Sequence, residues 1–303
     1  MSPSPAAWPD TSTTPRLRDV VRVLNDFYPP RTAQSWDRVG LVTGDLEQYV
    51  GSVLFAVDPT LAVIDDAIAA GAQALVTHHP LLLRGVHSAA TTTAKGRCLT
   101  RLIRADLALL TAHTNADVAD PGVCDALTAA FGLVEVSALQ VEEGQPLGRV
   151  GRLGESMSLR DFAARVASSL PSAPVGIRVS GPAHAPVSRV AVLGGAGDGQ
   201  FAAVRAAGAD VYVTADLRHH PALEAREEAG GGPPYLIDAG HWATEWLWLQ
   251  GAAQRLQDAL AAEGLHLETT ISTRCTDPWS FVVGTGHDDT DPRTGRTQEG
   301  QSR

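Results

Sequence analysis

Between residues 52 and 131 the chain repeats one phrase three times: a short apolar run, then a longer stretch of helical composition. The apolar runs are Ser52 to Val57, Ala74 to Thr77 and Leu107 to Thr111. Each is too short for a stable helix and long enough for a buried strand. The intervening stretches, Leu61 to Ala70, Lys95 to Ala105 and Gly122 to Phe131, have helical length, and Gly71 and Gly132 stop the first and last. Strands alternating with helices of this length make crossover units, so the pattern predicts a mostly parallel sheet covered by helices.

The same grammar returns further on. Ser158 to Leu170 reads as a helix with Ser158 as N-cap, followed by strands at Val175 to Ser180 and Arg189 to Leu193. A helix over Gln200 to Ala207, a strand over Val211 to Thr214, a helix over Leu223 to Ala229 and a strand over Tyr235 to Ile237 complete the run. A long helix is expected from about Thr244 to Glu263, and one or two strands within 267–283. Val141 to Pro146 reads as a turn or junction. Ahead of all this, Pro15 opens a helix with Leu17, Val20, Val21, Leu24 and Phe27 at helical spacing, ended by Pro29-Pro30. The expected fold class is α/β, as two similar α/β/α-layered halves. Residues 15–133 plus 235–283 form the first domain and 134–234 the second. Residues 1–14 are expected as a flexible leader. Residues 284–303 have almost no apolar side chains and are expected to be disordered.

Composition narrows the function classes. At 44% hydrophobic and 19% charged, the 303 residues can bury a sizeable core. A formal charge of −10 with no basic block argues against nucleic acid as a partner. No apolar run reaches the ~18 residues of a membrane span. The N-terminus lacks a signal-peptide pattern, and the expected location is cytoplasmic. Three widely spaced cysteines, Cys98, Cys124 and Cys275, suggest neither a disulfide framework nor a thiolate metal site. Any bound metal must rest on His and carboxylate groups.

Such groups lie at strand ends. Three apolar runs deliver His or Asp at their carboxyl ends: Leu75 to His79, Leu110 to Asp117 and Leu236 to His241. In open α/β sheets ligand sites sit at that edge. Pro80 breaks the first strand at once, so both imidazoles of His78-His79 can face one side. Glu245 follows His241 by four residues, on the same face of a helix's first turn. His78, His79, Asp117, His241 and Glu245 are too many donors for one catalytic zinc. They suit two divalent ions that activate a water for hydrolysis. The alternative is that His113, Asp117 and His241 cap turns separately.

The combination of Ser35-Trp36-Asp37-Arg38-Val39-Gly40-Leu41, Thr77-His78-His79-Pro80-Leu81, His113-Thr114-Asn115-Ala116-Asp117, Val192 to Gly197 and Asp238 to Glu245 resembles the NGG-one-interacting-factor-three family. Its bacterial members are also called dinuclear metal-centre hexameric proteins or GTP cyclohydrolase I type 2 homologues. The resemblance covers about residues 16–283. It implies a cytoplasmic homohexameric toroid of two-domain α/β subunits. The metal site lies at strand carboxyl ends between the two halves, with two divalent ions per subunit. The implied ligands are His78, His79, Asp117, His241 and Glu245. Glu245 bridges, His79 and Asp117 serve one ion, and His78 and His241 the other. The span from Asp117 to Gly194 is too short for the inserted domain of many members. Arg38 stands where members often have Asn.

Several residues keep two readings. Trp36 is expected as buried packing. Asp37 either orients a metal-bound His or caps a turn. Gly194 to Gly199 follows a strand and precedes a helix, but Gln200 occupies the third glycine position of a dinucleotide fingerprint, so a tight turn is favoured over an anion site. His219 and His220 resemble a family segment near the metals and are acid/base candidates, or a solvated loop. His87 is a weaker candidate of the same kind. His184, His266 and His287 are read as surface residues.

The leading functional expectation is a metal-dependent hydrolase that acts on a nucleotide, cyclic amide or phosphoester. The ions could be Zn, Mn, Fe, Ni or Co. The competing expectation is a non-catalytic metal-binding ring that docks a partner or delivers ions. Nucleotide binding through the glycine loop is a weaker third. No activated Ser or Cys nucleophile is evident: Cys124 lies on an apolar helix face and Cys98 has no adjacent base.

Overall fold

The computed structural model describes residues 12–283. Residues 1–11 of the expected leader, and all of 284–303, lie outside the described residues. The first sheet combines β1 (Gly40–Thr43), β2 (Ser52–Ala56), β3 (Ala74–Thr77), β4 (Ala108–Thr111) and β11 (Glu268–Ile271) in the order β1-β4-β3-β2-β11. Only β1 runs antiparallel; the other pairings are parallel. Helices α2 (Leu61–Ala69) and α3 (Ala94–Arg104) cover one face through Val63, Ile64, Ala67, Leu99 and Leu102. Helices α1 (Leu17–Phe27) and α9 (His241–Ala262) cover the other. This half is therefore layered α/β/α, as the alternation of apolar runs predicts.

The second sheet departs from the expectation. It contains β5 (Leu133–Glu142), β6 (Gln145–Ser158), β7 (Arg178–Ser180), β8 (Pro186–Ala196), β9 (Val211–Ala215) and β10 (Tyr235–Asp238), in the order β5-β6-β8-β9-β10-β7. Only β8–β9 and β9–β10 pair parallel, so this sheet is mixed rather than mostly parallel. The unforeseen part is the β5–β6 hairpin, whose tip lies inside the stretch read as a turn. Glu142 pairs with Gln145, and the two loop residues Glu143 and Gly144 both have positive φ, the geometry that matches strand twist in a tight hairpin. β5 hides itself in the sequence because a bulge between Val134 and Ser137 breaks its alternation and most of it is exposed. The strand Tyr235–Asp238 belongs to this second sheet, although the expected boundary grouped it with the first domain. Residues 267–283 supply one strand, β11.

The remaining helices are α4 (Thr114–Asp117), α5 (Val123–Phe131), α6 (Leu159–Ser169), α7 (Phe201–Ala206) and α8 (His219–Glu228). Of these, α5 and α6 pack Leu127, Phe131, Phe162 and Val166 into the core of the second sheet. The 22-residue α9 ties the halves together. It starts directly after β10 of the second sheet and buries Trp242, Trp248, Leu249 and Leu256 in the core of the first. Its first turn therefore sits where the two sheets meet.

Candidate metal centre

Strand register places the first set of side chains. Ala56, Thr77 and Thr111 lie side by side on β2, β3 and β4. The pairing continues past the strand ends: His78 N donates to Ala56 O, His79 N to Val57 O and Ala112 N to Thr77 O. Asp58, His79 and His113 thus emerge from neighbouring strands at one carboxyl edge. Asp117 follows on the single turn of α4. From the other sheet, β9 delivers Asp216 and β10 delivers His241, with Glu245 one turn into α9. The two carboxyl edges face each other across this cluster.

The donors converge. Glu245 Oε1 lies 2.9 Å from His241 Nε2 and 3.5 Å from His78 Nε2, while its Oε2 lies 3.1 Å from His79 Nε2. His78 Nε2 is 3.6 Å from Asp117 Oδ1, and His79 Nε2 is 3.2 Å from His241 Nε2. Donors held about 2.1 Å from one ion stand roughly 3–3.6 Å apart, so these spacings fit a shared cation. Two triads close enough to hold an ion stand out: His79, His241 and Glu245, and His78, His79 and His113.

The far side of each ring decides its tautomer. His79 Nδ1 lies 2.7 Å from Asp58 Oδ1 and His241 Nδ1 2.7 Å from Asp216 Oδ2. His113 Nδ1 lies 2.9 Å from Asp37 Oδ1 and His78 Nδ1 3.0 Å from the carbonyl of Ala112. Every partner is an acceptor, so every Nδ1 carries the hydrogen, and the Nε2 lone pairs turn inward. This is how proteins orient metal-binding imidazoles. It leaves lone pairs facing lone pairs and carboxylate oxygens, which is repulsive without a cation or protons between them. His78 Nε2 and Glu245 Oε2 are buried with no hydrogen-bond partner, and a buried polar atom without one is costly.

The electrostatics carry the same signature. Burial works to lower the pKa of His79, but the Glu245 and Asp58 carboxylates overrule it and push it up to about 10. Burial is likewise overruled at His241, where Glu245 and Asp216 push the value up to about 11. Burial pushes Asp117 up to about 7, with Glu245 and Asp37 adding to it against the pull of His113 and His79. Without a metal, the cluster claims protons in the places where a divalent ion would sit. The residues present fit such an ion.

All five residues expected as ligands meet here. His78 is the imidazole beside Asp117, and His79 is the one beside His241. The resemblance implies the other pairing, His79 with Asp117 and His78 with His241. His113, left out of the predicted set, stands next to His78 and His79.

Asp37 contacts both a histidine outside the predicted ligand set and the start of α4. It accepts from His113 and also from Thr114 N and Oγ1 at the start of α4. Asp58 was missed, although it too ends an apolar strand. Asp216 lies next to the predicted His219-His220 pair and takes the role nearest the site. His219 and His220 themselves are exposed on the first turn of α8 and line neither cavity beside the centre. His87, His184 and His266 are exposed, and His287 lies outside the described residues. Trp36 is half exposed rather than buried.

The glycine loop resolves as close packing. Gly194 and Gly195 lie within β8, and a Cβ on Gly195 would sit 2.4 Å from Glu245 Oε1. The following helix, α7, has six residues and starts only at Phe201.

Two cavities open onto the centre. One, of about 750 Å³, is lined by Asp58, His79, Asp216 and His241 among others. The other, of about 550 Å³, is lined by Trp36, Lys95, His113, Asp117, Glu142 and Glu245 among others.

The fold and site together define a two-sheet α/β protein with a His and carboxylate cluster between facing strand ends. The chain belongs to the Duf34/NIF3 (NGG1p interacting factor 3) family, whose model matches residues 15–278. It is 48% identical over 274 residues to the "GTP cyclohydrolase 1 type 2 homolog" of Streptomyces coelicolor, covering 89% of this chain and 95% of that protein. It is 37% identical to the Mycobacterium tuberculosis protein of the same name, covering 90% and 99%. Among solved structures, a Bacillus cereus protein related to NIF3 superimposes with a TM-score of 0.82 at 27% identity, covering 89% of this chain and 100% of that one.

Proposed function

We propose that this protein is a dinuclear divalent-metal hydrolase. His78, Asp117 and Glu245 would hold one ion, and His79, His241 and Glu245 the other. The carrying observation is the inward convergence of Nε2 lone pairs on the buried Glu245 carboxylate, with every Nδ1 already committed to an acceptor. Bound divalent ions supply Lewis acidity and make water a competent nucleophile near neutral pH. The chain's own part is to fix donors and exclude alternatives. Asp58 and Asp216 hold the imidazole tautomers, Asp37 holds His113, and Gly195 keeps its backbone against Glu245. His113, beside Trp36 and open to the smaller cavity, is placed to exchange a proton with a substrate.

The substrate class is a nucleotide or a related cyclic amide or phosphoester, in keeping with the names of the relatives. The two cavities support catalysis over a purely storing or scaffolding role, because a closed structural site needs no such access. A homohexameric ring and a cytoplasmic location complete the proposal. No helix among the described residues is long and apolar enough to cross a membrane.

The test is metal analysis of the purified chain, followed by a hydrolysis screen over nucleotides, phosphoesters and cyclic amides against His79→Ala. Two ions per chain and turnover lost in His79→Ala support the proposal. A wild-type chain that binds no divalent ion overturns it.

A further inference from the structure

Lys95 is the only lysine in the chain; the other 23 of its 24 Lys and Arg residues are Arg. Lys95 is among the residues that line the smaller cavity, as are His113, Asp117 and Glu245. Among the described residues no carboxylate forms an ion pair with it, whereas Arg16, Arg22, Arg101, Arg149 and Arg274 are all paired. A lysine offers a compact charge with rotatable donors, suited to a phosphate on a mobile substrate, where arginine offers a fixed planar fork.

The same cavity holds Trp36 with half of its surface open. Its backbone is anchored. Gln34 N donates to Thr114 Oγ1 at 2.9 Å, and Gln34 Nε2 to Glu142 Oε1 at 3.1 Å. Ser35 donates from N and Oγ to the Glu143 carboxylate at 2.8 and 2.9 Å. The tip of the β5–β6 hairpin thus clamps the segment that presents the indole. The ring lies nearly perpendicular to that of His113, with centroids 5.8 Å apart, and half of its surface is open. A large aromatic surface held open on a fixed backbone is a stacking platform.

The larger cavity offers no comparable unpaired Lys or Arg. It carries Asp58, Asp216, Asp238 and Asp277, and Arg178, which lines it too, is paired with Asp238 at 2.5 Å. Of the two linings, the smaller one holds the Lys or Arg that forms no ion pair among the described residues, Lys95, which stands against Asp117, Glu142 and Glu245. Glu142, the carboxylate of the smaller cavity outside the metal cluster, is engaged by Gln34 and Gln140.

We propose that Trp36 and Lys95 form the recognition subsite for a phosphate-bearing planar heterocycle, a mononucleotide, which enters by the smaller cavity. The ring stacks on Trp36 and the phosphate meets Lys95. This rests on the hydrolase reading for the chemistry at the centre, but not for the binding itself. A cavity of about 550 Å³ falls within the ordinary size of small-molecule sites, roughly 300–1,000 Å³.

The test is calorimetric titration of the full-length, metal-loaded protein with GMP, guanosine and ribose 5-phosphate, with metal content measured for each variant. Lys95→Met is expected to weaken GMP and ribose 5-phosphate by about tenfold or more and to spare guanosine. Trp36→Ala is expected to weaken GMP and guanosine by about tenfold and spare ribose 5-phosphate, with Trp36→Phe retaining most of the affinity. As the only ε-amine, Lys95 also reports directly: bound GMP is expected to protect it from acylation in peptide mass mapping. The proposal is overturned if the wild type does not bind GMP at millimolar concentration. It is overturned equally if both variants bind GMP like the wild type, or if Trp36→Ala changes subunit association and not affinity. A wild type that binds GMP with these variant effects but carries no metal would defeat the hydrolase reading and leave this one standing.

Discussion

The Nε2 atoms of His79 and His241 face each other at 3.2 Å, and the Nδ1 atom of each is held 2.7 Å from a carboxylate, Asp58 and Asp216 respectively. The two rings come from different sheets, so their approach is set by the packing of the two halves and not by local sequence. The carboxylates behind them turn that approach into a candidate cation site. Replacing either with an amide leaves the ring in place and removes the group that fixes its tautomer. Asp58→Asn and Asp216→Asn are each expected to weaken metal binding by about 10–100-fold. Chelator competition would measure this, with circular dichroism as the check on folding. Unchanged affinity in both variants would show that the carboxylates do not orient the ligands.

Acid should strip the ions. In the metal-free protein His79 is pushed up to about 10 and His241 to about 11, so at neutral pH an incoming cation must displace their protons. Apparent metal affinity should rise with pH from about 6 to 9, by roughly tenfold per unit for each proton displaced. The metal-free protein should show the reverse in its stability. A His raised above its unfolded value of 6.5 stabilises fully below pH 6.5, and that contribution fades as pH climbs toward 10. Melting temperatures of the chelated protein should therefore fall between pH 6.5 and 10, while those of the loaded protein do not follow. Parallel curves for the two forms would contradict this.

Much of this was legible in the chain. Short apolar runs closed by polar residues mark the strands of the first sheet, whose ends lead to His78, His79 and Asp117, and a run of the second sheet, Leu236 to Ile237, leads to His241 and Glu245. What escaped depends on register and packing. Asp58 and His79 become neighbours only because β2 and β3 pair in parallel with Ala56 beside Thr77. The β5–β6 hairpin escaped because an exposed, bulged edge strand carries little periodicity. With it went Glu142 and Glu143, and so the reason that Trp36 stays open. Buried packing is the expectation for Trp36, and the hydrogen bonds that hold Gln34 and Ser35 leave it half exposed instead.

The glycine loop offers a test of close packing against nucleotide binding. Gly195 has φ of +67°, and a Cβ there would meet Glu245 Oε1 at 2.4 Å and His241 Nε2 at 3.1 Å. Gly199, in the same loop, has open space around it. Gly195→Ala is expected to destabilise the protein by about 1–3 kcal/mol and to lower metal stoichiometry. Gly199→Ala is expected to do neither. Urea denaturation and metal analysis would compare them. Equal effects at the two positions would point back to a phosphate-cradling loop.

Asp37 joins the site to the fold. Its buried carboxylate accepts from His113 at 2.9 Å, from Thr114 N at 3.0 Å and from Thr114 Oγ1 at 2.6 Å. Burial works to raise its pKa, but these hydrogen bonds overrule it and hold the carboxyl well below the usual carboxylate range. A depressed carboxylate stabilises above its unfolded value of 3.8, and that contribution is lost as pH falls below it. In Asp37→Asn the amide cannot accept from both His113 and Thr114, and one buried donor loses its partner. The expected cost is about 1–3 kcal/mol at pH 7. Urea midpoints at pH 3, 5 and 7 would show a gap between wild type and variant that is equal at pH 5 and 7 and narrows at pH 3. A gap of the same size at all three would mean that the charge on Asp37 contributes nothing and that only the shape of its side chain matters.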